Sequence, residues 1–134
     1  MPEITAEGLN GLTSTIIESA IRIHRTFGSG LLESAYAACL CHDLTGLGIT
    51  VERQKPLPLV YHGFKLDCAY RADIVVGGLV LVEVKAVDAP HQVHRRQVNT
   101  YLRLGDYRVG LLLNFGAPTM KQGIERIVNG FPDR

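Results

Sequence analysis

A chain of 134 residues, 46% hydrophobic and 20% charged, suits one compact domain, residues 1–134, and excludes both a pair of full-sized domains and a disordered, highly charged tail. The formal net charge of +1 excludes a general electrostatic attraction to nucleic acid, so any polyanion site must be a local patch. No stretch is apolar and long enough to span a bilayer, and the segment holding Glu3 and Glu7 lacks an apolar signal core, so a cytoplasmic protein with no membrane partner is expected.

From Leu9 to Phe27, the apolar residues Leu12, Ile16, Ala20, Ile23 and Phe27 recur at helical spacing, which predicts a helix with one face towards a core. Gly28 and Gly30 permit a sharp exit. Leu32, Ala35, Tyr36, Cys39, Leu40 and Leu44 predict a second helix that ends around Gly46 to Gly48. Cys39 and Cys41 lie two apart on it and so face different sides, which makes them a poor metal pair. With Cys68 they form no disulfide framework, and all three are expected to be reduced, buried thiols.

Strands are expected from Ile49 to Glu52 and, past a proline-interrupted edge, from Leu57 to Tyr61. His62-Gly63 marks a turn before Phe64 to Leu66. Ala72 to Val76 and Leu79 to Lys85 are strands whose unbroken apolar runs predict cover on both faces, with Gly77-Gly78 as the hairpin between them. Asp88 or Ala89 followed by Pro90 predicts the start of a third helix, with Val93, Gln97, Tyr101 and Leu104 along one face and Gly105 at its end. Tyr107 to Phe115 is an apolar strand, and Ile124 to Val128 is a strand or a helical turn. The layer solution is a mixed sheet with helices packed against it.

Charges interrupt the most hydrophobic part of the chain. Glu83 and Lys85 follow Leu79-Val80-Leu81-Val82 and share one strand face, and Asp73 sits between Ala72 and Ile74. A buried carboxylate is costly unless a cation, a proton or a metal lies beside it. An ordinary two-residue turn at Gly77-Gly78 sets Asp73 opposite Val82 and puts the two acids on different faces. One extra loop residue, or a bulge, sets Asp73 across from Glu83, and that irregularity is expected. Two hard oxygen ligands with a lysine nearby suit Mg²⁺ or Mn²⁺ and phosphodiester hydrolysis. The plain alternative is an Asp-Lys or Glu-Lys pair that stabilises the hairpin.

Glu33 opens the second helix, where a first-turn glutamate is favoured by the helix dipole. Gln97 and Tyr101, four apart, project together from the third helix, and the Gln97 amide wants a polar partner in the site or on a substrate. His94, Arg95 and Arg96 add local positive charge for phosphates, although adjacent arginines need not share a face. His91 and His94 lack two further ligands for zinc.

Gly30-Leu31-Leu32-Glu33-Ser34-Ala35-Tyr36 resembles the signature of the GxxExxY proteins. Arg71-Ala72-Asp73, Glu83-Val84-Lys85, His94 to Gln97, Tyr101-Leu102 and Gly110 to Phe115 continue the resemblance in order, from about Ile16 to Val128. That family is grouped with the PD-(D/E)XK nucleases. The resemblance implies a restriction-endonuclease-like α/β core with a mixed sheet of four or more strands flanked by helices. It further implies that Asp73 and Glu83 bind a divalent ion, that Glu33 joins or supports the site, that Lys85 is the catalytic lysine, and that Gln97 and Tyr101 match the Q-x-x-x-Y helix of the RecB-like branch. Ala72 stands where the superfamily's nominal motif has proline, which touches backbone shape more than ligand chemistry.

The expected function is a metal-dependent nuclease or nuclease-like DNA-processing protein. In it Asp73, Glu83 and Glu33 hold Mg²⁺ or Mn²⁺, Lys85 and Gln97 complete the catalytic set, and Tyr101, His94, Arg95 and Arg96 contact the strand. The alternative is a noncatalytic nucleic-acid-binding or protein-interaction module on the same scaffold. The small size leaves room for a homodimer or a protein partner.

Overall fold

A computed structural model describes residues 4–89 and 91–133. In chain order it contains α1 (Ala6–Phe27), α2 (Glu33–Gly46), β1 (Val51–Tyr61), β2 (Phe64–Val76), β3 (Val80–Lys85), α3 (Gln92–Gly105), β4 (Val109–Asn114) and β5 (Ile124–Val128). The strands form one sheet in the order β1-β2-β3-β4-β5. All neighbours are antiparallel except β3 and β4. A parallel pair needs a crossover, and α3 supplies it.

The sheet has a core on each face, as the unbroken apolar runs imply. Ile74, Val76, Val80, Val82, Val84, Val109, Leu111 and Leu113 pack under α1 and α2 with Leu9, Ile16, Ala20, Ile23, Tyr36, Leu40 and Leu44. Val75, Leu81 and Leu112 point the other way and pack under α3 with Val98, Tyr101 and Leu102. Glu83 and Lys85 fall in phase with Leu81 and therefore belong to the α3 face.

Tyr36, fully buried, explains the shape of the loop between α1 and α2. Its ring stacks on Phe115 at a centroid distance of 4.4 Å. Its hydroxyl donates to the Gly28 carbonyl and accepts from the Leu31 N–H at 3.0 Å. One side chain thus joins the exit of α1, where Gly28 has φ 71°, to the segment that leads into Glu33. Tyr36→Phe should keep the stacked ring, strand both loop groups and lower stability by about 1–2 kcal/mol, as read by urea unfolding.

Some elements differ from expectation. The two strands expected on either side of the prolines are one strand, β1, because it is an edge strand, where a missing N–H is tolerated. The helix expected to start at Asp88 or Ala89 starts at Gln92, and Pro90 lies outside the described residues. Its cap is Asp106, with φ 56°, whereas Gly105 is needed for space: a Cβ there would sit 2.3 Å from the Tyr107 ring. The Ile124–Val128 segment is a strand. Cys39 and Cys41 are half-buried and Cys68 is exposed, against the expectation of buried thiols. Cys68 lies where the β1–β2 register shifts, and its φ is 53°.

Beyond that shift, β1 and β2 continue as a two-stranded ribbon, turned by His62 and Gly63 at φ 44° and 83°. The pairs Tyr61↔Phe64 and Leu59↔Leu66 share one face, and Val60↔Lys65 takes the other. Tyr61 and Phe64 are 66% and 62% exposed, so the ribbon has an open apolar face.

Candidate active site

The turn between β2 and β3 has three residues, Gly77, Gly78 and Leu79, since Val76 pairs with Val80. Both glycines have positive φ, 61° and 68°. The extra residue shifts the register by one, as expected, so that one step beyond Ile74↔Val82 Asp73 faces Glu83. Backbone pairing stops there. The Asp73 N–H donates to Glu83 Oε1 at 3.0 Å, and the Val84 N–H donates to Asp73 Oδ2 at 3.0 Å. Each acid takes the place of a ladder carbonyl for the opposite strand. From this fork β2 stays with β1, while β3 stays with β4 as far as Lys85↔Asn114.

Glu83 is only 5% exposed, and its pKa is pushed up to about 7. Burial is the main cause. The Asp73 N–H and the Lys85 charge oppose the rise, and the Asp73 and Glu33 charges add to it. Glu83 is thus a buried acid with too little positive charge around it. Lys85, half-buried beside it, makes no salt bridge among the described residues.

The other expected residues surround this pair unevenly. Glu33, in the first turn of α2, accepts from the Ala86 N–H at 3.3 Å, so it is both an exposed helix-start glutamate and a neighbour of the end of β3. Gln97 donates to the Tyr101 hydroxyl at 2.8 Å, which supplies the polar partner its amide needed. Tyr101 titrates higher than usual, through burial and then the Glu83 charge nearby. His94 titrates lower than usual, first through burial and then through the Lys85 charge, which sets it near the lysine. Arg95 is held elsewhere, with Nε 2.8 Å from Glu125 on β5. Arg96 is exposed on α3.

Two further residues shape the site. Gln54 of β1 donates from Nε2 to Asp73 Oδ1 at 3.1 Å. Asn114, 1% exposed, accepts at Oδ1 from the Val87 and Gly116 N–H groups and donates to the Val87 carbonyl, each at 3.0 Å. It fixes the chain that leaves β3 just after Lys85. The segments that follow β3 and β4 approach so closely here that a Cβ on Gly116 would lie 2.3 Å from the Val87 oxygen.

Among the described residues no group of three or more His, Cys, Asp or Glu side chains converges as a cage for a metal ion. Two adjacent carboxylates do meet the needs of Mg²⁺ or Mn²⁺, which take one or two carboxylates and fill their other positions with water and phosphate oxygens. Each carboxylate keeps acceptor capacity beyond the bonds described, and the uncompensated charge of Glu83 favours a cation. The donor set therefore fits a hard divalent ion.

No described helix is long and apolar enough to cross a membrane. The family model for the PD-(D/E)XK nuclease superfamily matches residues 10–127. No curated protein and no solved structure matches the chain.

Proposed function

The chain belongs to the PD-(D/E)XK nuclease superfamily, and from that premise we propose that it is a divalent-metal-dependent nuclease that hydrolyses phosphodiester bonds in DNA. The observation that carries this reading is the fork itself, where Asp73 and Glu83 meet beside Lys85, which makes no salt bridge among the described residues. Asp73 and Glu83 would hold Mg²⁺ or Mn²⁺, with Glu33 in support. Bound there, such an ion supplies a water of lowered pKa and neutralises charge on the phosphate.

Lys85 donates hydrogen bonds to the phosphate oxygen on which charge builds, or holds the attacking water. Gln97 locks the Tyr101 hydroxyl, and together they offer the strand a fixed polar edge. Burial and the Lys85 charge hold the His94 pKa below the usual histidine range, which favours its ring as a hydrogen-bonding group for the strand. Arg96 remains available for a backbone phosphate, while Arg95 is committed to Glu125. Free Cys39, Cys41 and Cys68 support a reducing, cytoplasmic setting.

The test is cleavage of single-stranded, duplex, nicked and branched DNA, with RNA strands alongside, in Mg²⁺ or Mn²⁺. Metal-dependent turnover is expected. Binding without turnover, insensitive to chelator and to Lys85→Ala, would instead make this a noncatalytic module.

The open ribbon face supports a second copy as the protein partner. It carries no charge over Leu59, Tyr61, Phe64 and Leu66, so it suits an uncharged, self-matching surface better than a phosphate backbone. Light scattering should report a dimer that Phe64→Ser converts to monomer. A monomeric wild type at high concentration removes the pairing.

A further inference from the structure

Gln54 lies in the body of β1, between the pairs Arg53↔Ile74 and Lys55↔Ala72, yet its φ is 52°. No turn is made here, since β1 runs on to Tyr61. The left-handed region is disfavoured for any residue with a Cβ, and glutamine has no special affinity for it. Such a conformation persists only where its surroundings impose it, and it collects at functional sites.

The kink has one visible product. It takes Gln54 out of the ladder and brings its side-chain amide to Asp73 Oδ1 at 3.1 Å. The other oxygen, Oδ2, is held by the Val84 N–H, so the carboxylate plane is fixed from both sides. The Gln54 bond runs from a neutral amide to a carboxylate and is exposed to solvent, where water competes for both groups and the net gain to folding is reduced. It is a weak reason to keep a strained strand, but a good one to keep a ligand oriented. Gln54 and Asp73 also line one cavity of about 570 Å³ with Glu33 and Arg53.

We propose that Gln54 is a positioning residue, whose left-handed backbone exists to hold the Asp73 carboxylate in its metal-binding orientation. This rests on the nuclease reading of the fork. Groups that orient a ligand from behind typically change metal affinity by about 10–100-fold when removed.

The experiment compares wild type, Gln54→Asn, Gln54→Gly and Asp73→Ala by calorimetric Mn²⁺ titration and by the melting temperature of the metal-free proteins. Asparagine and glycine accept the left-handed backbone more readily, and both withdraw the amide from Asp73. The expected result is Mn²⁺ binding weakened about 10–100-fold in both Gln54 variants, with the metal-free melting temperature of Gln54→Asn at or above that of wild type. Unchanged Mn²⁺ affinity in the Gln54 variants, with binding lost in Asp73→Ala, overturns the role of Gln54 alone. A lower melting temperature in both Gln54 variants also overturns it, because the residue is then structural. No Mn²⁺ uptake by wild type overturns this inference together with the nuclease reading.

Discussion

Lys85→Ala should still bind Mn²⁺ and yet lose about 10²–10³-fold in the rate of phosphodiester cleavage, the range found when one preorganised donor to a developing negative charge is removed. Asp73→Ala should lose both binding and cleavage. The difference follows from where the two side chains stand. Asp73 is tied into the fork by the Val84 N–H and Gln54, whereas Lys85 makes no salt bridge among the described residues. Its removal should therefore leave the carboxylates in place and take away only the ammonium that the proposed reaction uses.

Calorimetry with Mn²⁺ and single-turnover cleavage separate the two effects. If Lys85→Ala cleaves at the wild-type rate, the lysine is merely a counter-charge for Glu83. In either case Glu83 should titrate higher in the variant, since Lys85 is one of the groups that hold the Glu83 pKa down.

The fork was legible in the sequence because it breaks a strong pattern. Charges inside an apolar run have to be compensated, and the alternation of a strand assigns Glu83 and Lys85 to one face. Requiring the two acids to meet left a longer turn or a bulge as the possibilities, and the three-residue turn is the one found. Gln54 was not legible for the opposite reason. It sits in Glu52-Arg53-Gln54-Lys55, a polar run that reads as an ordinary solvated edge, and no side chain announces a positive φ other than glycine or asparagine. Asn114 was hidden at the end of the apolar strand β4, where a single polar residue looks like a terminus rather than a buried clamp. The fate of Arg95 depends on Glu125, thirty residues on and brought near only by the β4–β5 pairing. Such long-range partners leave no local trace.

Metal-free protein should lose stability as the pH rises from about 4.5 to 8, contrary to the usual behaviour of carboxylates. Glu83 titrates near 4.5 when unfolded and at about 7 when folded. Between those values the folded state holds the extra proton, so stability falls with pH through this window. The stabilisation is complete below the unfolded pKa and is lost as pH passes the folded one. A shift of this size corresponds to about 3 kcal/mol.

Other groups also contribute to the pH dependence, so the informative quantity is wild type minus Glu83→Gln. The variant should lack this component of the slope, match wild type best in acid and be the more stable protein at pH 8. Added Mn²⁺ should reverse the order, because a ligand that binds only the folded, ionised site stabilises wild type by about 2.7 kcal/mol at a hundredfold excess over its Kd and leaves Glu83→Gln unmoved. Proton competition should also make the Mn²⁺ affinity of wild type rise with pH and level off above about 7. Equal slopes in urea titrations of the two metal-free proteins would mean that Glu83 is already compensated within the fold, and the case for a missing cation beside it would fail.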